Sequence, residues 1–217
     1  NTNSGGLVSY ILKSSCATRH GHGSPKLYTS LLDFHSTNNL SESAHWPLVQ
    51  KNNKQNYLTQ ILLAVQKQIE NYSHEFQTEA NDSWGVILAS TKGVIEDQIW
   101  NTEQFFKMDP YTPLLEGIEE SFPFPVKKKL CVSNACTSSH GAIELAQRWL
   151  KRKWVDHVFI VAADLIGPFT INGFKNLRAL STSPHPKPFD VTRDGLKLGD
   201  AVATCVLSHK QKNSTYK

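Results

Sequence analysis

Residues 129–153 constrain the fold more than any other part of this chain. They begin with a short apolar run at 130–133, which predicts a strand, and continue through a turn of small residues. Apolar side chains then recur with helical rather than alternating spacing. They are Ala142, Ile143, Ala146, Trp149 and Leu150. Cys136 is therefore predicted to lie where a strand leads into an amphipathic helix.

The predicted position of Cys136 favours chemistry at its sulfur atom. The first N–H groups of a helix have no acceptor within the helix, and the helix dipole places partial positive charge at that end. Both effects favour thiolate over thiol, and the same N–H groups can stabilise an oxyanion. Cys136 is thus a candidate nucleophile, with its own backbone N–H as a candidate oxyanion donor. The alternative interpretation is that Cys136 is a small buried hydrophobic residue, as a lone cysteine often is.

Two ordered motifs resemble the beta-ketoacyl synthases, a family with a thiolase-type fold. The string NACTSSHGAIELA, which contains Cys136, is similar to the segment that carries the family's acyl-accepting cysteine. The later string FKNLRALSTSPHPKPFDVTRDGLKLGDAVATCVL is similar to a family segment that leads into a strand. The resemblance implies an α/β chain with the N-terminal half of a thiolase-like fold, in which layered helices surround a mostly parallel mixed sheet. Residues 1–208 would form this ketosynthase-like N-terminal domain, and residues 209–217 a polar tail.

The resemblance also implies roles for individual residues. Cys136 would accept an acyl group from an acyl-carrier-protein thioester. Phe174, Leu115 and Ile118 match positions that line the family's acyl-chain pocket, although such residues more often pack in a core. His140 follows Cys136 by four residues, so it would lie one helical turn further along the same face and is a possible auxiliary base.

The implied function is that of a beta-ketoacyl-ACP synthase-like acyltransferase of fatty-acid or polyketide biosynthesis. In the family, two histidines and a lysine from the C-terminal half support condensation, and this sequence has no match to that half. The condensation half of the site is therefore expected to be absent from this chain. The alternative is a non-condensing structural or chain-length partner of a ketosynthase. A cysteine hydrolase of unrelated fold is a third reading, which the second motif argues against.

Composition and cysteine usage place further limits on the chain. With 217 residues, of which 39% are hydrophobic and 19% charged, it fits an ordinary soluble globular protein. No apolar run is long enough for a membrane span, and the cysteines lack a disulfide-rich spacing, so a cytoplasmic location is expected. Cys16, His20 and His22 could hold a metal in principle, but no second ligand cluster accompanies them. Neither a metal nor a cofactor is predicted.

Two basic clusters bear on possible partners, one at 127–129 and one at 148–153. The formal charge is +4, a modest excess. The second cluster complements a helix dipole, which is the simpler explanation, while steering of an acidic acyl carrier protein is the functional one. No basic and aromatic pattern indicates nucleic acid. A half-fold is expected to expose an apolar face, which predicts a homodimer or association with a C-terminal-half or ketosynthase partner.

Patterns elsewhere predict the remaining elements. Strands are expected at 6–12, 84–90 and 156–163, with a last strand ending at Leu207. Helices are expected at 25–32, 57–72, 96–106 and 114–121, and a loop at 38–56. The resemblance further implies that three acidic residues hold loops in place without catalytic roles. They are Asp190, Asp194 and Asp200.

Overall fold

The computed structural model describes residues 10–18, 21–22, 45–46, 56–73, 81–99, 109–183 and 185–209. Side chains are described for residues 56–70, 81–99, 109–183 and 185–209. The predicted helix at 25–32, residues 6–9 of the predicted first strand, residues 100–106 of another predicted helix and most of the polar tail lie outside the described residues.

Eight strands and five helices are described. The strands are β1 (Tyr10–Thr18), β2 (Gly21–His22), β3 (His45–Trp46), β4 (Trp84–Ala89), β5 (Val126–Val132), β6 (His157–Asp164), β7 (Leu198–Gly199) and β8 (Ala201–Ser208). The helices are α1 (Tyr57–Ser73), α2 (Ile95–Gln98), α3 (Thr112–Ser121), α4 (Ser138–Lys151) and α5 (Pro168–Asn176). None of these described helices has the length and apolar character needed to cross a membrane.

The main sheet has six strands in the order β2-β1-β8-β6-β4-β5. Strands β4, β5 and β6 are parallel neighbours, whereas β8 runs antiparallel between β6 and β1. Four of the six strands, β1, β4, β5 and β6, consequently point the same way. The predicted mixed sheet with layered helices is confirmed. The predicted loop at 38–56 is wrong at β3, which pairs with β7 in a separate small parallel sheet.

The hydrophobic core lies on both faces of the main sheet. Strand β4 is apolar along its whole length and fully buried, because helices cover both of its faces. Val86 and Leu88 face a cluster formed with α1 and α3, and Ile87 and Ala89 face a cluster formed with α4. This alternation follows the two-residue period of a strand, and it fixes the sheet between two helical layers.

Several predicted boundaries shift for identifiable reasons. The apolar stripe of α4 is confirmed at four positions, but Ile143 is 37% exposed because it lies beside the buried stripe rather than within it. Strand β5 begins at Val126, well before the predicted start at Leu130. The apolar pattern did not indicate this start, because the first part of β5 consists mainly of exposed lysines. Exposed lysines are common on edge strands, and β5 is an edge strand of the described sheet.

Candidate active site

Three parallel strands end at one edge of the sheet, where α/β proteins commonly bind ligands. Ser90 and Thr91 follow β4, and Asp164 ends β6. The Asp164 carboxylate accepts hydrogen bonds from the Ser90 hydroxyl at 3.0 Å and the Thr91 hydroxyl at 2.8 Å. It also accepts the Thr91 backbone N–H at 3.0 Å. Asp164 thereby fixes the loop that leaves β4.

Cys136 lies in a tight elbow between β5 and α4, and it is exposed. The preceding residue, Ala135, has a φ of 47°, in the left-handed region that non-glycine residues rarely adopt. The Ser138 hydroxyl donates to the Ala135 carbonyl at 2.7 Å and accepts the Asn134 N–H at 2.9 Å. The Asn134 side chain donates to the Thr137 hydroxyl at 2.8 Å. Short polar side chains thus hold the backbone conformation that presents Cys136.

The elbow is tied directly to the loop after β4. The Thr91 hydroxyl, whose proton is donated to Asp164, lies 3.5 Å from the Ala135 carbonyl oxygen, and the Ser133 hydroxyl donates to the Thr91 carbonyl at 3.2 Å. The Tyr111 hydroxyl lies 2.9 Å from the Ser133 hydroxyl. A single network therefore positions the Cys136 elbow and the Thr91 loop relative to one another.

The prediction that His140 lies one helical turn beyond Cys136 on the same helix face is wrong. Cys136 precedes Thr137, the N-cap of α4, so it is not part of the helix and helical spacing does not relate it to His140. His140 lies in the first turn of α4 with an exposed side chain. Its role as an auxiliary base stays a prediction.

A cavity of about 620 Å³ lies beside the Thr91 loop. Phe174 contributes to its lining, together with Thr91, Lys92, Ile99, Phe169 and Leu177 among others. Ile118 lies elsewhere, fully buried in the core between α1 and α3, and Leu115 packs against that same core. The structure thus separates Phe174 from Leu115 and Ile118, and an acyl-pocket role for the three stays a prediction.

A buried ion pair borders this cavity. Lys92 Nζ lies 3.7 Å from Glu96 Oε1, and Glu96 accepts the backbone N–H groups of Phe169 at 3.1 Å and Thr170 at 3.3 Å. Burial lowers the pKa of Lys92 below its ordinary value, although the nearby carboxylates of Glu96, Asp164 and Asp200 oppose that shift. Lys92 lies between the strand predicted at 84–90 and the helix predicted at 96–106, and neither prediction indicated an ion pair there. The only local signal was the four-residue spacing of Lys92 and Glu96.

The acidic residues of the second motif hold loops, as predicted. Asp194 accepts hydrogen bonds from the hydroxyls of Ser181 and Thr182, which hold the pKa of its carboxyl well below the usual range. Asp200 accepts the Ile166 N–H at 2.5 Å. Asp190 accepts the backbone N–H of Thr192, within its own loop, at 2.7 Å. None of these contacts involves Cys136.

The two basic clusters meet at the far end of α4. Lys128 Nζ lies 4.5 Å from the centre of the Trp154 ring, and Arg152 Cζ lies 5.1 Å from it. Lys129 instead forms an ion pair with Glu119. The Lys128 and Arg152 cations therefore lie at the opposite end of the helix from Cys136.

The other described cysteines differ from Cys136 in burial. Burial raises the pKa of the Cys131 thiol and of the Cys205 thiol to about 11, so both remain protonated at neutral pH. Among the described side chains, no group of three or more potential ligands could hold a metal ion. The side chains of Cys16, His20 and His22 lie outside the described residues.

The sheet, its two helical layers and the elbow at the carboxyl edge of β5 together form a thiolase-like α/β fold. Residues 128–213 match the family model "Beta-ketoacyl synthase, N-terminal domain". The family match and the fold together confirm the resemblance to the N-terminal half of a beta-ketoacyl synthase.

Solved ketosynthase structures share this fold. A beta-ketoacyl synthase from Burkholderia phymatum STM815 superposes with a TM-score of 0.67 at 19% identity, over 92% of this chain and 58% of that one. The ketosynthase ApeO from Xenorhabdus doucetiae, solved with its chain length factor ApeC, gives 0.69 at 17% identity, over 94% and 58%. The ketosynthase from module 6 of the bacillaene synthase of Bacillus subtilis 168 gives 0.67 at 15% identity, over 92% and 40%. This chain spans less than two thirds of each of these structures.

Proposed function

We propose that this chain is the acyl-accepting half of a beta-ketoacyl-ACP synthase-like acyltransferase in fatty-acid or polyketide biosynthesis. The observation that carries the proposal is the exposed Cys136 in a strand-to-helix elbow at the carboxyl edge of parallel strands. A cysteine at such a position is suited to act as a nucleophile, because backbone N–H groups near the start of a helix can hold an oxyanion.

In the proposed reaction, Cys136 attacks the carbonyl carbon of an acyl-carrier-protein thioester. A new carbon–sulfur bond forms at Cys136, the bond to the carrier's sulfur breaks, and the carrier thiol leaves with the proton that Cys136 gives up. The backbone N–H of Cys136 helps to hold the oxyanion of the tetrahedral intermediate. Condensation would require groups from a second half or a ketosynthase partner, because charge that develops on the decarboxylating unit needs its own stabilisation.

Acylation of Cys136 is expected when the purified chain is incubated with an acyl-carrier-protein thioester. Intact-protein mass spectrometry should show one added acyl group, and Cys136→Ala should abolish it, because the alanine side chain cannot act as a nucleophile. Failure of the folded wild-type chain to form the adduct would overturn the proposal. That result would favour the alternative, a non-condensing structural or chain-length partner of a ketosynthase.

The buried thiols supply matched controls for the acylation experiment, on a Cys16→Ser background. Cys131→Ala and Cys205→Ala should leave the adduct unchanged, since a thiol with a pKa of about 11 is almost fully protonated at pH 8. Iodoacetamide at that pH should accordingly modify Cys136 first. All three cysteines should react once urea unfolds the chain and returns the two raised pKa values to their ordinary range.

We also propose that the chain associates with an acidic acyl carrier protein and with a second protein copy or half. The exposed edge of β5, including Leu130 at 44% exposure, supports association between chains. Sedimentation velocity at micromolar concentration should show a species larger than a monomer. A single monomeric species across a wide concentration range would contradict this expectation for self-association.

A further inference from the structure

A surface at the end of α4 combines an exposed tryptophan with cations from two elements. Trp154 follows α4 and is 42% exposed. Arg152 Cζ lies 5.1 Å from the centre of the Trp154 ring, and Lys128 Nζ, which comes from β5, lies 4.5 Å from it. Lys128 Nζ also lies 5.3 Å from the centre of the Trp149 ring. The Trp154 surface, as we call it, consists of Lys128, Lys151, Arg152, Lys153 and Trp154.

The turn after α4 fixes the position of Trp154. The Trp154 N–H donates to the Trp149 carbonyl at 3.0 Å, and the Lys153 N–H donates to the Leu150 carbonyl at 2.9 Å. These two bonds form a Schellman motif, which ends a helix with one residue in the left-handed region. That residue is Lys153, with a φ of 54°, at a position where glycine is usual. A lysine at such a strained position indicates that its charge has a use beyond ending the helix.

The cations of the Trp154 surface lack anionic partners within the part of the chain that the structure describes. Lys128, Lys151, Arg152 and Lys153 are exposed, and no described carboxylate forms an ion pair or hydrogen bond with them. The helix dipole accounts for cations at the end of α4, but not for Lys128, which belongs to a strand. These like charges repel one another, and a polyanion would relieve that repulsion.

A membrane surface that contains anionic phospholipid fits this combination. Tryptophan rings favour the headgroup region of a bilayer, and clusters of lysine and arginine attract anionic headgroups. Lysine is depleted in protein–protein interfaces, whereas every cation of the Trp154 surface except Arg152 is a lysine. Two cations already lie close to the Trp154 ring, which leaves a nucleic-acid base less room to stack on it.

The distance from Cys136 argues against a carrier protein at this surface. The 14 residues of α4, about 21 Å of helix, separate the Trp154 surface from the Cys136 elbow. An acyl carrier protein would have to deliver its thioester at the elbow. The Trp154 surface therefore lies at the wrong end of α4 for that step.

We propose that the Trp154 surface binds anionic phospholipid at a membrane, with its cations against headgroup phosphates and the Trp154 ring in the headgroup layer. The contact is peripheral and holds the chain on the bilayer surface. The Cys136 elbow lies at the end of α4 away from the lipid. This inference goes beyond the proposed acyl transfer and does not depend on it.

Co-sedimentation with large unilamellar vesicles tests the proposal. Vesicles of phosphatidylcholine alone are compared with vesicles that also contain phosphatidylglycerol, at low and at physiological ionic strength. The wild-type chain should bind the anionic vesicles in preference to the neutral ones, and added salt should weaken this binding because it screens the charges. Equal binding to the two kinds of vesicle at low ionic strength would overturn the proposal, and so would binding to neither.

Paired substitutions locate the contact on the protein. Lys128→Gln/Arg152→Gln should weaken binding to anionic vesicles about 25-fold, at about fivefold for each cation. Lys175→Gln/Arg178→Gln removes the same charge from α5 and the turn after it, and should change binding by no more than about twofold. Equal losses for the two pairs would show that net charge alone attracts the chain, and would overturn the proposal. Unchanged binding by Trp154→Ala would also overturn it.

Lys153→Gly separates lipid binding from a purely structural role. Glycine adopts a φ of 54° without strain, so this variant should unfold at a higher urea concentration than the wild type. It should nevertheless bind anionic vesicles about fivefold more weakly, because one cation is lost. Unchanged vesicle binding by this more stable variant would contradict the proposal.

Soluble polyanions test the other kinds of partner. Duplex DNA, single-stranded DNA and an acidic acyl carrier protein are titrated separately into the wild-type chain and into Lys128→Gln/Arg152→Gln. If one of them binds through these two cations while anionic vesicles do not bind, the surface serves that partner and the lipid proposal is overturned. A failure of Cys136 acylation leaves the expected vesicle binding unchanged, so the two proposals fail separately.

Discussion

Replacing Gly93 with alanine is expected to lower the free energy of unfolding by about 2–4 kcal/mol. Gly93 has a φ of +57°, and a Cβ atom added there would lie 2.2 Å from the Pro110 carbonyl oxygen and 2.7 Å from its carbon. That oxygen cannot move away freely, because it accepts the Val94 N–H at 2.9 Å. Backbone strain and a clash with fixed backbone atoms therefore act together, and urea denaturation monitored by circular dichroism would measure the loss.

Gly173→Ala provides the matched control for Gly93→Ala. Gly173 lies within α5, and a Cβ atom there would meet no atom within 4 Å. Because alanine favours a helix more than glycine does, this variant should be more stable than the wild type by about 0.5–1 kcal/mol. Similar unfolding midpoints for the two variants would show that the Gly93 loop can relax, contrary to the expectation.

Sequence reasoning succeeded where the determining interactions are local. The strand, the small-residue turn and the helical spacing around Cys136 lie within one continuous segment, and the observed elbow has that form. The helix predicted at 57–72 was indicated by its helical apolar period, and the strand predicted at 84–90 by its continuous apolar run. A local pattern is sufficient for such elements, because the buried face of each is recorded in its own residues.

The cavity and its ion pair could not be predicted from the sequence, because they join distant segments. Glu96 contacts the N–H of Phe169 across 73 positions, and Asp164 contacts Thr91 across the same separation. Nothing within residues 92–96 indicates that α5 begins beside them. The separation of Phe174 from Ile118 likewise depends on which sheet face each helix covers, a property of the assembled layers.

Removal of the Glu96 side chain is expected to be the most damaging single change at the site, with Glu96→Ala costing about 3–5 kcal/mol of unfolding free energy. The Glu96 side chain is fully buried. Its loss would remove the carboxylate that faces the Lys92 ammonium group and that accepts two N–H groups at the start of α5.

Glu96→Gln tests the cause of this loss, since it removes the charge but keeps an acceptor for the N–H groups. We expect Glu96→Gln to lose less stability than Glu96→Ala when both are measured by urea denaturation. Glu120→Ala, at an exposed position of α3, is the surface control and should change stability by no more than about 0.5 kcal/mol. If Glu96→Ala were as mild as Glu120→Ala, water would have to replace the carboxylate at the start of α5, contrary to the expectation.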